Sequence, residues 1–409
     1  MYDQEIYNAN SAVIKVMGIG GGGCNAINSM ISSNISSAEF IAVNTDNQAL
    51  LLSKAQTTLQ IGSKLTKGLG AGSDPSVGEA AAEESKEEII SLLQGTDLLF
   101  IASGMGGGTG TGAASVVARL ARELGILTVA VVTKPFAFEG RVRNENANKG
   151  IANLKKHVDT LVVIPNDKLL QFLPPQTGML DAFKVADDML KQGIVGIVDL
   201  IATPSLINLD FADVNTVMRN QGLAHMGIGR AKGENRIIEA VRQAVSSPLL
   251  ETTIEGARSV ILNVTGGKDI MLNEISEAAV LVQGIIDESA NIIFGATVDE
   301  TMVDEVKITV IATGFLSEAE KPVEPVVIKP VINVNKAVDV NKPVEGDKPA
   351  EENLPPLLRE IEKAEQEEEK VDVSIQKPVV EPAPAPVEEV KPEPKGRELP
   401  AFMRKLFRK

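Results

Sequence analysis

Two glycine-rich runs, each placed between a strand-like run and a helix-like run, constrain this chain more than any other feature. The first is Gly18-Ile-Gly-Gly-Gly-Gly-Cys-Asn25, which follows the apolar residues Val13–Met17. The second is Gly104-Met-Gly-Gly-Gly-Thr-Gly-Thr-Gly112, in which six of the nine residues are glycine. Glycine permits backbone conformations that are closed to other residues, and its missing side chain lets a phosphate approach a helix N-terminus. Both runs therefore predict phosphate binding.

The pattern around these runs predicts an α/β fold. Short β-branched runs indicate buried strands, and the stretches between them have helical spacing. One such helix has apolar residues along a single face from Ala113 to Leu124, and Gly125 ends it. This alternation predicts a parallel sheet with helices on both faces. The predicted strands are 13–17, 40–43, 98–102, 126–133 and 160–164, and the predicted helices are 25–31, 76–93, 113–124 and 143–157.

A different pattern follows the first half of the chain. Met179–Ile201 predicts one long helix, which begins after Pro174-Pro175 and ends before Pro204. Beyond it, helices at 237–245 and 275–286 and strands at 259–264, 291–295 and 306–313 indicate a smaller α+β domain. The expected organisation is a Rossmann-like nucleotide-binding domain at 1–178, a central helix at 179–203, a second α+β domain at 204–316, a linker at 317–396 and a terminal peptide at 397–409.

The composition changes near residue 316. Residues 317–409 hold 14 of the 21 prolines but only 2 of the 35 glycines. Residues 317–396 carry 19 acidic and 11 basic side chains and no aromatic residue, which predicts a disordered linker. Residues 397–409 carry five basic residues and one acidic residue. Their apolar residues have helical spacing, so this peptide is expected to fold in the groove of a partner.

Composition also excludes several classes of protein. A single cysteine excludes a disulfide-stapled scaffold, and with only two histidines a zinc site is not expected. Apolar runs fall short of the roughly 18 residues that span a bilayer, and the N-terminus does not have the pattern of a signal peptide. A net charge of −15 argues against sequence-independent nucleic-acid binding. A soluble cytoplasmic protein is expected.

The first glycine run by itself leaves two classes of nucleotide open. Gly18-x-Gly20-x-x-Gly23 satisfies the dinucleotide fingerprint, and Asp46 lies 23 residues beyond Gly23, so an NAD or FAD oxidoreductase is one alternative. The second glycine run favours a triphosphate held from two sides, with hydroxyls from Thr109 and Thr111. A Walker P-loop is not predicted, because aspartate follows Gly267-Lys268 where serine or threonine is required.

These residues carry a resemblance to a known family. Gly106–Gly112 resembles the signature loop of tubulin, and Gly104–Ala114 followed by Gly125–Phe136 is similar to FtsZ, the family of bacterial tubulin-like division GTPases. The resemblance covers roughly residues 12–316 and includes the motifs Val43–Asp46, Thr66–Gly72, Ile164–Lys168 and Asn208–Val214. Cys24 departs from the glycine of many members. It would place the one thiol beside the phosphates, where alkylation is expected to block binding.

The resemblance implies a GTPase that binds GTP and GDP, with Mg²⁺ held largely by phosphate oxygens and water. Glu139 would contact the ribose, Arg143 the ribose-phosphate region, and Asn166 and Asp187 the guanine edge. Phe183 would stack on the base, although by spacing alone Phe183 and Asp187 indicate a core contact and an exposed charge. The implied phosphate-binding residues are Gly20, Gly21, Gly22, Gly23, Cys24, Asn25, Gly107, Gly108, Thr109, Gly110 and Thr111, with Ala71 and Gly72 near the γ-phosphate.

The segment Asn208–Asp213 carries the implied catalytic residues. Asp210 and Asp213 are three residues apart and would share one side of a helical turn, although Asp213 is also a candidate N-cap before Val214–Met218. The resemblance implies head-to-tail stacking of subunits, in which Asn208, Asp210 and Asp213 position the attacking water in the next subunit's pocket. A polymer without meaningful hydrolysis remains a further alternative.

The resemblance also implies partners and a location. The chain would bind copies of itself, and Leu399–Lys405 resembles the family's terminal recognition peptide. Through 397–409 the chain would therefore bind membrane-tethering and regulatory proteins such as FtsA. Nucleic acid is not an expected partner, and contact with the membrane would be indirect. The implied location is a ring at the mid-cell division site.

Overall fold

The computed structural model describes residues 12–315 except 34, 36, 171–172, 175, 203–206, 208–209, 247–253, 255 and 287–288. The linker at 317–396, the terminal peptide at 397–409 and Asn208 lie outside these residues. The strands are β1 (Ile14–Ile19), β2 (Glu39–Asn44), β3 (Thr57–Gln60), β4 (Leu98–Gly104), β5 (Leu127–Lys134), β6 (Thr160–Pro165), β7 (Gly222–Lys232), β8 (Ser259–Gly266), β9 (Asn291–Val298) and β10 (Glu305–Thr313).

Helices follow most of the strands. They are α1 (Gly20–Ser32), α2 (Asn47–Leu51), α3 (Ser63–Thr66), α4 (Pro75–Glu84), α5 (Lys86–Leu93), α6 (Thr109–Glu123), α7 (Arg141–Leu154), α8 (Asn166–Leu170), α9 (Met179–Ala202), α10 (Phe211–Met218), α11 (Arg236–Val245) and α12 (Leu272–Gln283). A 3-10 turn, Ala137–Glu139, precedes α7. No helix within the described ranges is both long enough and apolar enough to cross a membrane.

The strands form one twisted sheet in the order β3-β2-β1-β4-β5-β6-β7-β10-β8-β9. The pairs from β3 to β7 are parallel, β10 is antiparallel to both β7 and β8, and β8 and β9 are parallel. The order 3-2-1-4-5-6 is that of a doubly wound nucleotide-binding sheet, whose ligands bind beyond the carboxyl ends of the strands. The predicted α/β class is confirmed.

Apolar residues cover both faces of the parallel half. On one face, α1 and α9 pack on β1, β4 and β5, with the largest side chains supplied by residues such as Met30, Phe100 and Met189. On the other face, helices α4 to α7 cover the sheet through residues such as Ile89 and Val117. A further cluster joins α11 and α12 to strands β8 to β10. The central helix α9 contacts both halves, because its cluster also includes Ile228 and Ile311.

Strand β7 was not predicted from the sequence. It alternates small residues with apolar ones, and glycine has a low preference for strands. The structure shows why glycine is required here: a Cβ on Gly227 would lie 1.8 Å from the Ala244 carbonyl oxygen, and one on Gly229 would lie 1.9 Å from that of Ala240. Helix α11 therefore packs directly on the strand backbone.

Three predicted helices differ clearly from those observed. The predicted helix at 76–93 is divided at Ser85, whose hydroxyl accepts a hydrogen bond from the Gly62 amide at 3.3 Å. The helices after the glycine runs begin earlier than predicted, at Gly20 and Thr109. Each glycine run therefore ends inside a helical first turn, where backbone N–H groups have no intrahelical acceptor.

Candidate nucleotide-binding and catalytic site

The two glycine runs lie against each other at the carboxyl edge of the sheet. Gly20 has φ +72°, and a Cβ there would lie 2.8 Å from the backbone nitrogen of Gly110. A Cβ on Gly22 would lie 3.3 Å from the Cα of Gly104, and one on Gly23 would lie 2.3 Å from the carbonyl oxygen of Ala102. Side chains at these positions would push the runs apart. The close packing aims the first turns of α1 and α6 at one region.

A third segment closes the second glycine run from the side. A Cβ on Gly108 would lie 2.8 Å from the Cβ of Ala71 and 3.0 Å from the Asp74 nitrogen. Ala71 is buried, whereas its neighbour Gly72 is exposed and has φ +57°. Among the described atoms none lies within 4 Å of a Cβ built on Gly21 or Gly72. Open backbone thus faces the region from both sides, as a phosphate cradle requires.

Two hydroxyls hold the second run in place. The Thr111 hydroxyl accepts from the Gly106 amide at 2.8 Å. The Thr45 and Thr109 hydroxyl oxygens are 2.6 Å apart in a buried contact. Thr45 is a site residue that the sequence interpretation did not assign, although it lies within the quoted motif Val43–Asp46. Thr109 and Thr111 are therefore partly engaged within the protein.

A charged pair borders the same region. Glu139 accepts from the Phe136 amide at 2.9 Å and from the Arg143 guanidinium at 2.6 Å. The Glu139 side chain is 10% exposed and that of Arg143 is 47% exposed. The guanidinium lies 3.8 Å from the position of a Cβ on Gly107, which places it beside the second glycine run. A guanidinium at this point suits phosphate oxygens.

Three aromatic rings lie next to this pair. Phe183 on α9 packs edge-on against Phe136, with centroids 5.4 Å apart, and Phe138 stacks on Phe136 at 5.1 Å. Phe138 is 59% exposed and was not assigned a role from the sequence. An exposed ring beside a nucleotide site offers a stacking surface.

Asn166 lies at the start of α8 and is 5% exposed. Its Oδ1 is buried and has no hydrogen-bond partner among the residues that the structure describes. Buried polar atoms are nearly always paired, so an unpaired acceptor can receive a hydrogen bond from a donor outside the protein. The exocyclic amine of guanine is one such donor.

Asp187 lies one helical turn beyond Phe183 on α9. Burial, with a smaller contribution from the neighbouring carboxylate of Asp188, raises the pKa of Asp187 to about 7. This half-buried carboxyl group is therefore not the exposed charge that spacing alone indicated. Strongly shifted carboxyl groups in clefts are typical of functional sites.

Cys24 does not present its thiol to the phosphates, so the expected block by alkylation is wrong. The side chain is 3% exposed and directs its sulfur toward the carbonyl oxygens of Gly18 and Val43, at 3.7 and 3.8 Å. Burial raises the pKa of the thiol to about 11, which keeps it protonated and unreactive. At most the backbone of Cys24 contributes to the cradle, whereas Asn25 is exposed on α1.

Asp46 also has a structural role. Its carboxylate caps α2 by accepting from the Gln48 amide at 2.8 Å and the Ala49 amide at 3.4 Å. The carboxylate that would bind ribose in a dinucleotide enzyme is therefore engaged in a helix cap.

The catalytic candidates lie at a different edge of the sheet. Asp210 caps α10 and accepts from the Asp213 amide at 2.8 Å, so Asp210 is the N-cap and Asp213 belongs to the first turn. Both carboxylates are exposed. The last turn of α10 is held at the start of β6, where the Thr160 hydroxyl donates to the Met218 carbonyl at 2.5 Å. This is the amino edge of the parallel strands.

One molecule therefore does not bring the two halves of the site together. The glycine runs, Arg143 and Asn166 follow the carboxyl ends of their strands, whereas α10 is attached at the amino end of β6. The central helix α9 runs between the two edges, and its 24 residues span about 36 Å.

A metal ion would need other ligands than a carboxylate cluster. Within the described part of the chain there is no group of three or more His, Cys, Asp or Glu residues arranged to hold one. The donors at the cradle are backbone N–H groups and hydroxyls. Such donors suit phosphate oxygens.

Comparisons with known proteins agree with this geometry. The model of the Tubulin/FtsZ family GTPase domain matches residues 13–174, and that of the FtsZ family C-terminal domain matches 222–316. A structure of an FtsZ dimer from M. jannaschii is 47% identical, with a TM-score of 0.73, over 76% of this chain and 92% of that one. A structure of a mutant FtsZ from M. jannaschii is also 47% identical, with a TM-score of 0.72, over 77% and 95%.

A more distant structure shares the fold alone. CetZ2 from Haloferax volcanii, solved as a protofilament bound to GTPγS, is 21% identical, with a TM-score of 0.64, over 73% of this chain and 92% of that one.

The sheet order and the two glycine runs define a nucleotide-binding protein of the α/β class. With the family matches, the chain belongs to the tubulin/FtsZ family, and within that family to FtsZ. It therefore binds GTP and GDP and is a GTPase. The oxidoreductase alternative is excluded.

Proposed function

We propose that this chain polymerises head to tail into filaments in which each GTPase site is completed by the neighbouring subunit. The observation that carries this proposal is the separation of the glycine runs and the Asp210–Asp213 turn onto opposite edges of the sheet. Opposite edges meet when identical subunits stack in one direction. A head-to-tail contact of this kind continues without closing.

Exposed apolar side chains support a contact at both edges. Around the nucleotide site, Leu69 is 84% exposed, Phe138 59% and Val142 71%. Just before Asp210, Ile207 is 43% exposed. Exposed apolar residues near a site favour an interface. The relatives support the same contact, since an FtsZ structure is described as a dimer and a CetZ structure as a protofilament.

The residues divide the chemistry between two subunits. In the pocket, backbone N–H groups of Gly20–Asn25 and Gly107–Thr111 bind the phosphates, Ala71 and Gly72 lie at the γ-phosphate, and Arg143 contacts phosphate oxygens. The neighbouring subunit's own copies of Asn208, Asp210 and Asp213 orient the attacking water. Positioning and electrostatics supply most of the catalysis in phosphoryl transfer. Mg²⁺, held by phosphate oxygens and water, would neutralise charge on the phosphates.

The residues around the base recognise guanine through its hydrogen-bond donors. Asp187 as a carboxylate accepts from the ring N–H and the exocyclic amine, while Asn166 Oδ1 accepts a further hydrogen bond. Glu139 contacts the ribose, and Phe183 stacks on the base with Phe138 beside it.

The specific GTPase rate is expected to rise with protein concentration. Below the concentration at which filaments form, each pocket has no Asp213 opposite it, so phosphate release per subunit should approach zero. Phosphate release and sedimentation measured over a dilution series test this. A specific rate that does not depend on concentration would contradict a shared site. Filaments that form without any phosphate release would instead support a polymer that does not hydrolyse GTP.

GTP affinity is expected to fall as the pH is lowered through the pKa of Asp187. The pKa of this carboxyl group in the empty protein is about 7, so Asp187 is mostly protonated below that pH. GTP binding must then displace the proton. Between about pH 8 and about pH 6 the carboxylate fraction falls about tenfold, and the apparent affinity should fall equally. Titration with a fluorescent GTP analogue measures this. An Asp187→Asn variant should lose the pH dependence, and a persistent dependence would contradict the assignment.

The proposed role extends to the cell, where the filaments form the contractile ring at the division site in the cytoplasm. The basic peptide at 397–409 recruits membrane-tethering and regulatory proteins such as FtsA, so that contact with the membrane is indirect. Nucleic acid is not a proposed partner.

Deleting 397–409 is expected to leave the GTPase rate unchanged and to abolish recruitment. The peptide carries the apolar face formed by Phe402, Met403 and Leu406, whereas the catalytic residues lie in the folded part. Fluorescence localisation in cells and phosphate release measure the two effects. A matched control replaces Pro392 and Pro394 by alanine, which leaves the peptide intact and should preserve localisation. Normal localisation of the deletion variant would contradict the assignment.

A further inference from the structure

The start of β6 holds the end of α10. The Thr160 hydroxyl, fully buried, donates to the Met218 carbonyl oxygen at 2.5 Å. A second threonine does the same from the opposite side, because the Thr313 hydroxyl at the end of β10 donates to the Val217 carbonyl at 2.9 Å. The last turn of α10 is therefore fixed to both halves of the sheet.

Asp159, directly before β6, fixes the turn that follows α10. Its side chain is buried, with 6% exposed. One carboxylate oxygen accepts from the Thr128 amide at 2.9 Å, and the other accepts from the Asn220 amide at 3.2 Å. The Asp159 carbonyl also accepts from the Gly222 amide at 2.8 Å. One residue thus joins β5, β6 and the turn between α10 and β7.

This turn needs such support. Asn220 has φ +57°, in the left-handed region that residues other than glycine seldom occupy, asparagine being one of the few that do. Arg122 contributes a second contact, because its guanidinium donates to the Asn220 side-chain oxygen at 3.4 Å. Without the Asp159 acceptor, the Asn220 amide would be part-buried and unpaired, and the turn would be free to relax.

A relaxation at Asn220 reaches Asp213 because α10 moves as one body. The helix has eight residues, is capped by Asp210, and buries Val214, Val217 and Met218. From Asp213 to Met218 the helix rises only about 8 Å. Rotation of the last turn therefore displaces Asp213 with it. Displacements of about 1 Å in a catalytic group cost up to 100-fold in rate.

We propose that Asp159 and Thr160 are positioning residues for GTP hydrolysis, which act by setting where α10 presents Asp213 to the neighbouring subunit. This inference rests on the proposed shared site. It predicts an unusual phenotype, because a residue of the GTPase sheet would affect hydrolysis only in the pocket of another subunit.

The first test compares two buried threonines on neighbouring strands. Thr160→Val removes the hydrogen bond to α10, whereas Thr128→Val removes one within its own segment, where the hydroxyl donates to the Ile126 carbonyl at 3.1 Å. Both changes delete one buried hydroxyl and keep the side-chain shape. Thr160→Val is expected to lower kcat about tenfold with GTP affinity and filament assembly unchanged. Thr128→Val should lose similar stability and keep the wild-type kcat.

The second test asks which side of the contact is defective. Full-length Thr160→Val is mixed with Asp187→Ala at a GTP concentration too low to fill the Asp187→Ala pockets. The intact α10 of the Asp187→Ala subunits should then restore turnover in the Thr160→Val pockets. A control mixture with the Asp187→Ala/Thr160→Val double variant should show no recovery.

Asp159→Asn supplies an independent variant should Thr160→Val fold poorly. An amide offers only one acceptor oxygen, so one of the two backbone N–H groups would face a donor. It should show the same loss of kcat, unchanged GTP affinity and recovery in the mixture. Wild-type kcat in both variants, or a loss that Asp187→Ala subunits do not restore, would overturn the inference. Failure of the proposed shared site is distinguished by the wild-type protein, whose specific rate would then not depend on concentration.

Discussion

Replacing Asp213 by alanine is expected to leave GTP binding and filament assembly intact and to reduce turnover about 100-fold or more. The carboxylate is exposed in the first turn of α10 and is far from the chain's own pocket, so its loss cannot disturb the nucleotide bound to the same subunit. Nucleotide binding, sedimentation and phosphate release measured on one preparation separate these effects.

A matched control for Asp213→Ala is Glu87→Gln, which neutralises another exposed acidic residue in a helical first turn. It should keep the wild-type rate. Mixing provides a second check, because Asp213→Ala pockets that face a wild-type neighbour should regain activity. Turnover close to wild type in Asp213→Ala would remove Asp213 from the catalytic role.

Replacing Asp187 by alanine is expected to weaken GTP binding about 100-fold or more, because two hydrogen bonds to a charged acceptor are lost. Isothermal titration of the monomeric protein measures the change. The variant Asp187→Asn offers a test of chemistry, because its amide can donate to a carbonyl at the position of the guanine amine. Asp187→Asn should therefore bind xanthosine triphosphate better than GTP.

The neighbouring Asp188 provides the matched control. It forms an ion pair with Lys191 and accepts from Gln192 at 2.9 Å, so it is engaged on the helix surface. Asp188→Asn should keep GTP affinity near the wild-type value at alkaline pH. It should also lower the pKa of Asp187, because a like charge is removed. Equal losses in both variants would indicate damage to the helix instead of lost guanine contacts.

Much of the fold could be predicted because the strands of the parallel half have a recognisable local sequence pattern. Strands such as Leu98–Gly104 are buried on both faces, so they appear as continuous apolar runs followed by glycine. Strand β7 could not be predicted, because its glycines at 227 and 229 disfavour a strand. They are required by the close approach of α11, a tertiary contact between a helix and a strand. The local pattern of apolar and polar residues does not indicate such a tertiary contact.

The site shows the same division. The glycine runs are local features and were predictable, as was their position after strands. The resemblance supplied Asp187 and Phe183, whose spacing alone indicated an exposed charge and a core contact. The prediction for Cys24 failed because the direction of its side chain depends on the packing of α1 against β2. Phe138 and Thr45 were missed because each contacts a distant part of the chain, Phe138 lying near Phe183 and Thr45 near Thr109.

In the proposed site, the buried oxygen of Asn166 would gain its hydrogen-bond donor from the bound nucleotide. A buried acceptor without a donor costs about 1–3 kcal/mol, and that cost is present only while the pocket is empty. On the proposed assignment, binding of a guanine would remove this cost, so part of the affinity for nucleotide would come from pairing an acceptor that the empty protein leaves unpaired. A cellular concentration of guanine nucleotide well above its dissociation constant would also stabilise the folded chain against unfolding. The nucleotide is then a component of the native state, and an empty subunit is the form most exposed to unfolding and proteolysis.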